Sequence, residues 1–317
     1  METNMIINNR SKVVILGFLI LCIILLARCT YQNNYNTKPS IQLDDKVNVE
    51  EFNANWDDDT DDTESIQNAI DSLIPEGGTV YFPKGEYIID AVKSIVLRGN
   101  ITLFFEEGAI LNVKPNDKEN YEVLKIHDVE NVKIEGNLKI VGERKRHLGE
   151  TGEWGFGLSI RGSKNVYVEN AEIEDMWGDA IYIGSTNKQN YSENIVIVNP
   201  ILNNNRRQGI SVISAINLTV LNPVITNTHG TPPSGGIDLE PNSQTEKMMD
   251  ISIINMKSIN NMGQGIIVSL NKIEYSEDHV NIMIQNISRI EDGIRVVIPE
   301  NLKGLIKIGN EYKLNRF

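Results

Sequence analysis

Asp238 and Glu240 stand two residues apart in the stretch SGGIDLEPN. In an extended strand that spacing turns both carboxylates to one face, while Ile237 and Leu239 take the other. Like charges held side by side repel, so the pair offers stability nothing and invites a chemical reading. Outward residues two apart lie roughly 7 Å from each other. Inverting glycosidases hold two carboxyl groups about 6.5–9.5 Å apart, one protonating the leaving oxygen and the other activating water. Repulsion serves such a pair, because it raises one pKa and keeps a proton available. The same carboxylates could instead bond sugar hydroxyls, pair with Arg207 or Arg295, or hold a cation.

What positions the pair is a repeat that begins near Asn131. The units NVYVENAEIEDMWGDAIYI, NIVIVNPILNNNRRQGISV, NLTVLNPVITNTHGTPPSGGIDL, DISIINMKSINNMGQGIIV and NIMIQNISRIEDGIRVV share one plan. Each has two short alternating strands, a variable loop, a small residue and a third strand. Asn170, Asn199, Asn222, Asn255 and Asn286 recur at separations of 29, 23, 33 and 31 residues. A period in this range indicates a solenoid. Short strands with no helix between them indicate a parallel β-helix, in which each coil buries its apolar side chains only against its neighbours. The asparagines read as a ladder that satisfies buried turn groups, a structural role.

Aligned on the inward Ile of the third strand, the coils give an outward column of Tyr182, Ser211, Asp238, Ile267 and Arg295. The position before the small residue gives Asp179, Gln208, Gly235, Gln264 and Asp292. Stacking at strand spacing makes these distant residues neighbours. The spacing predicts an outward polar shelf of Asp179, Tyr182, Ser211, Asp238, Glu240 and Arg295. Loops just before it supply Asp175, Trp177, Arg206, Arg207 and His229, and irregular loops on one side suit a binding groove. Within that groove Arg206, Arg207, His229, Arg295, Tyr182, Trp177, Gln264 and Asp175 are the expected substrate contacts. His147, in GERKRHLGE, reads as part of a solvated loop.

The front of the domain carries DDTESIQNAIDSL, with Asp61 as N-cap, Glu64 three residues on, and Ile66, Ala69, Ile70 and Leu73 on one helical face. Such a helix suits the exposed end of a solenoid. GGTVYFPKGEYII reads as a hairpin-like entry to the first coils. Together NANWDDDTDDTESIQNAIDSLIPEGGTVYFPKGEYII resembles the N-terminal signature of the pectate lyase superfamily, polygalacturonases and phage tailspikes included. The resemblance implies a right-handed parallel β-helix, an all-β fold, over nearly everything after residue 50. It is weak for reaction, because the fold hosts lyases, hydrolases, epimerases and binders. WGDAIYI is similar to the Asn-Thr-Asp-Gly motif of polygalacturonases and puts Asp179 on their catalytic aspartate. The next coil reads RRQGISV where a paired aspartate is expected, and SGGIDLE replaces Gly-His-Gly. EDGIRVV resembles the Arg-Ile-Lys strand, with Arg295 present and Val297 in place of Lys.

Composition bounds the remainder. The 317 residues are 40% hydrophobic and 6% aromatic, which suits a core of Ile, Val and Leu. Thirty Lys+Arg against 43 Asp+Glu give a net charge of −13, with no basic face for nucleic acid. Arg10 and Lys12 precede an apolar run from Val13 to Ala27, an export signal over residues 1–29. Cys29 stands where a bacterial lipoprotein signal puts its lipidated cysteine, with Arg28 in place of the usual small residue. A lipid-anchored envelope protein or a secreted one follows, with a polar tether over 30–49 and one β-helix domain over 50–317. Cys22 lies in the apolar run, so the folded part has no disulfide.

The favoured reading is a glycoside hydrolase acting on a polysaccharide, with Asp238 and Glu240 as acid and base in either order and Asp179 orienting them or replacing one. A polysaccharide lyase or uronate epimerase is the nearest alternative; a lyase would call for calcium, and no other cofactor is expected. A surface module gripping glycans with Trp154, Trp177 and Tyr182 is the third.

Overall fold

The computed structural model describes residues 46–316. The expected export segment, with Cys29, and the tether as far as residue 45 lie outside the described residues. Lys46–Asn48 already forms a strand paired in parallel with Gly78–Phe82, and Val49 is fully buried, so the last residues assigned to the tether belong to the domain. Among the described residues no helix is long and apolar enough to cross a membrane.

The described residues wind as a right-handed parallel β-helix whose coils build three sheets, one of eleven strands and two of eight. Alternation explains the winding. In Ser192–Val198, Ile195 and Ile197 are buried and Val196 half-buried. Register then stacks Val168, Ile197, Val220, Ile253 and Ile284 in one interior column. Each such side chain contributes about 1.5–3 kcal/mol by leaving water, and only because the coils above and below cover it.

Asn170, Asn199, Asn222, Asn255 and Asn286 all adopt positive φ, between 51° and 59°. Their short polar side chains tolerate this conformation at low cost. Asn199 Nδ2 donates to Asn170 Oδ1 at 3.1 Å, Asn222 to Asn199 at 2.9 Å and Asn255 to Asn222 at 2.9 Å. The ladder runs along an exposed corner, a correction to the buried turn groups expected for it. Its amides bond to one another, and the strained corner explains the residue type.

The helix Thr63–Asp71 covers the first coil with Ile66, Ala69 and Ile70 fully buried. It starts one residue later than expected: Asp62 is the N-cap residue, and Asp61 Oδ1 accepts from Thr63 N at 3.1 Å. Gln67 finishes the open edge as another strand would. Its Oε1 accepts from Val96 N at 2.8 Å and its Nε2 donates to Val96 O at 3.1 Å. Gly78–Phe82 and Gly85–Ile89 belong to different sheets, so they form no hairpin; the corner at Pro83 and Lys84 carries the chain around the coil. At the other end Gly304–Ile308 and Glu311–Arg316 pair antiparallel.

Candidate active site

The sheet that carries Asp238 runs from Ile95–Val96 through Asn120–His127, Trp154–Arg161, Ile181–Gly184, Gln208–Val212, Gly235–Leu239 and Ile266–Ser269 to Ile294–Val297. Its register places Lys125, Ser159, Tyr182, Ser211, Asp238, Ile267 and Arg295 in one outward column. Gly236 packs directly against the next coil, with no room for a side chain. A Cβ on Gly236 would lie 2.3 Å from the Gly265 carbonyl oxygen.

Toward the C-terminal coils the column is acidic. Asp179 is fully buried and accepts from Arg207 Nη1 at 2.9 and 3.2 Å and from Ser211 Oγ at 2.8 Å. Burial pushes its carboxyl up to about 6, and Arg207 and Ser211 offset only part of that rise. Asp238 is 2% exposed. Its Oδ2 accepts from Gln208 Nε2 at 3.2 Å, while Oδ1 is buried without a partner. Gln208 Oε1 is fixed by Gly235 N at 2.9 Å, which leaves its amide nitrogen for Asp238. Burial first, then the charge of Glu240, push the Asp238 carboxyl up to about 7 against the pull of Arg207. Glu240 stays in the ladder, its N donating to Val212 O at 3.1 Å, and is half-buried. Arg207 Nε is also buried without a hydrogen bond, with Glu153 Oε2 at 3.6 Å. Both atoms, Asp238 Oδ1 and Arg207 Nε, are closed to solvent in this structure, so a sugar hydroxyl could satisfy them only after neighbouring side chains move.

Toward the N-terminal coils the same face is basic. Glu122 gathers Arg161 Nη2 at 3.2 Å, His127 Nε2 at 3.3 Å and Lys125 Nζ at 3.4 Å. Ser159 Oγ donates to Glu122 at 2.8 Å, accepts from Arg161 Nε at 3.0 Å and meets His127 Nε2 at 3.0 Å. Burial raises the Glu122 carboxyl, but His127, Ser159 and Arg161 overcome it and bring it down to about 2. Between the two halves Tyr182 stacks on Phe156 at 4.7 Å, and the Arg161 guanidinium lies 4.3 Å from the Tyr182 ring.

The structure brings Asp179, Tyr182, Arg207, Ser211, Asp238 and Glu240 together, but Asp179, Ser211 and Asp238 are buried rather than laid on an open shelf. Arg295 is exposed two strands beyond Asp238, without an ion pair to these carboxylates. Gln264 is exposed beside Gly293, and His229 is exposed with Nδ1 2.7 Å from Asn227 O. Arg206 and Trp177 pack against each other. The Arg206 guanidinium lies 3.7 Å from the Trp177 ring and donates to Gly152 O at 2.6 Å. Trp177 also stacks on His147 at 3.8 Å. His147 is no solvated loop residue: its side chain is 1% exposed and Nδ1 lies 2.9 Å from Glu143 Oε1. Asp175 sits at φ 57°, bonded to Asn204 and to Lys145 Nζ at 2.9 Å, within the corner ladder. Trp154 remains 42% exposed. Among the described residues no group of three or more His, Cys, Asp or Glu is arranged to hold a metal ion.

Sequence reasoning missed Glu122, Lys125, His127, Glu153, Ser159 and Arg161. The signal was present: VLKIH and GFGLSIR are third strands of earlier coils and extend the same column.

Residues 46–117 match the family described as rhamnogalacturonase A/epimerase, pectate lyase-like, and residues 116–247 match the right handed beta helix region. The chain is 31% identical over 250 residues to the uncharacterized protein YclG of Bacillus subtilis, covering 69% of this chain and 43% of that one. It is 30% identical over 151 residues to a mannuronan C5-epimerase of Azotobacter vinelandii, covering 41% of this chain and 26% of that one. The chain thus spans less than half the length of these curated relatives. Among solved structures, an iota-carrageenase from A. fortis superposes with a TM-score of 0.58 at 19% identity, covering 78% of this chain and 56% of that one. That likeness is one of fold.

Proposed function

We propose that this pectate lyase-like, right-handed parallel β-helix protein cleaves glycosidic bonds in a polysaccharide, with Asp238 as general acid and Glu240 as general base. One arrangement carries the reading: the Asp238 carboxyl is buried beside Glu240, a second and more exposed carboxylate, and burial with that charge pushes it up to about 7. Two carboxyl groups in unlike environments divide the work of an acid and a base. Asp238 would protonate the departing glycosidic oxygen once a movement of the side chains over it opens its buried carboxyl to the substrate. Glu240 would take a proton from the attacking water. Asp179 is a positioning residue, since its bonds to Arg207 and Ser211 hold the cation that faces Asp238. New reducing ends without absorbance from unsaturated uronate, lost in Asp238→Asn, test this. Turnover that survives the substitution removes the assignment.

A second reading, uronate epimerisation or elimination, is favoured by the 30% identity to a mannuronan C5-epimerase. A lyase would give both signals, and an epimerase would instead exchange substrate protons with deuterated solvent. Export with lipidation at Cys29 belongs to the same proposal and is supported by Arg10, Lys12 and the apolar run that follows. Palmitate labelling that is lost in Cys29→Ala tests it; labelling unchanged by the substitution rejects it.

A further inference from the structure

The two ends of the groove carry opposite charge, and that polarity bears on the substrate. Glu153, Asp179 and Asp238 stand around Arg207, and Glu240, a fourth carboxyl group, stands beside Asp238. Glu246 adds a fifth near Tyr182, held by Ser185 Oγ at 3.1 Å and Ser243 N at 2.9 Å. Three and four strands from Asp238, Arg161 and Lys125 outnumber Glu122, and His127 adds a further donor. The neighbouring Asp128 is matched by Lys188 at 3.6 Å, so it does not cancel this excess. Lys125 and Arg161 remain reachable, their side chains 38% and 27% exposed. Arg161 lies three strand steps from Asp238, about 14 Å at ordinary strand spacing. The Tyr182 and Phe156 rings between them offer an apolar floor for a sugar face.

We infer that the groove takes an acidic heteropolysaccharide, with a neutral sugar seated at Asp238 and a carboxylated or sulfated sugar seated a few residues along the chain at Lys125 and Arg161. This rests on the polysaccharide reading above and narrows it. A polymer charged at every sugar would press an anion against the carboxylates at the Asp238 end, where like charges are penalised. A wholly neutral polymer would leave the positive charge that Lys125 and Arg161 hold in excess of Glu122 uncompensated. Spaced anions alone satisfy both ends.

Native affinity electrophoresis of the full chain tests the inference with three probes: gellan, whose uronates are separated by neutral sugars; polygalacturonate, a uronate homopolymer; and dextran, which is neutral. Gellan is expected to retard the protein most, and added salt to weaken that retardation. Arg161→Gln and Lys125→Gln should each weaken gellan binding roughly tenfold, as for loss of a hydrogen bond to a charged group. Lys125 is exposed enough that its substitution leaves folding intact. Retardation by polygalacturonate equal to that by gellan overturns the inference, as does gellan binding unchanged in both variants or absent in the wild type. Cleavage is scored separately as reducing ends. Gellan bound but uncut leaves these subsites standing and removes the hydrolytic reading. Dextran cut while gellan is ignored does the reverse.

Discussion

Glu122 and Asp238 lie on the same face of the same sheet, four strands apart, and both are withdrawn from water, yet their acidities move in opposite directions. Glu122 falls to about 2 and Asp238 rises to about 7. Burial acts on both and raises both, so burial cannot account for the difference. The partners do. Glu122 meets Lys125, His127, Arg161 and the Ser159 hydroxyl. Asp238 meets a neutral amide and the charge of Glu240, while the nearest cation is committed to Asp179. One scaffold thus holds a permanent anion at one end of its groove and a proton at the other.

The hardest break in that comparison is Asp238→Asn. Turnover should drop by about 10²- to 10⁴-fold, the usual worth of a positioned general acid, with reducing-end release near pH 6 as the measurement. Next in size is Arg207→Met, which leaves Asp179 buried and unpaired. Urea unfolding at pH 7 should show a loss of about 3 kcal/mol, partly recovered when Asp179→Asn is added.

The pH dependence of stability sharpens the contrast further. The folded value of Asp238, about 7, lies above its ordinary 3.8. Its contribution is therefore full below about pH 3.8 and lost as pH rises through 7. For Glu122 the folded value, about 2, lies below its ordinary 4.5, so its contribution is full above about pH 4.5 and lost as pH falls toward 2. Urea midpoints between pH 3 and 8 should accordingly fall less on the alkaline side in Asp238→Asn. They should fall less on the acid side in Glu122→Gln, which also lowers stability by about 1–2 kcal/mol at pH 7. The smallest effect belongs to a corner that serves both halves alike. Asn199→Ala, at φ 54°, should lose about 1 kcal/mol, and Asn199→Gly less. A shift in the pH profile of that variant would show that the corner, rather than the partners, sets the two acidities.

The column from Tyr182 to Arg295 was legible in the sequence because register in a solenoid follows from alternation and from the small residue before each third strand. The same rule would have extended it back to Lys125 and Ser159 had VLKIH and GFGLSIR been aligned with the later coils. What could not be read was the depth of each residue and its partner. Arg206 and Arg207 are adjacent, yet one is stacked on Trp177 and the other bonds Asp179 in the site. By position His147 looks solvated and Asp175 looks like a groove residue, and contacts from other coils claim both.

Sequence by itself determined that the coils stack and which side chains leave the core together, because side-chain direction is a local property of an alternating strand. Only the tertiary structure decided which of those side chains hold protons and which hold charge. That depends on donors and cations brought together from several separate coils, and no local pattern records them.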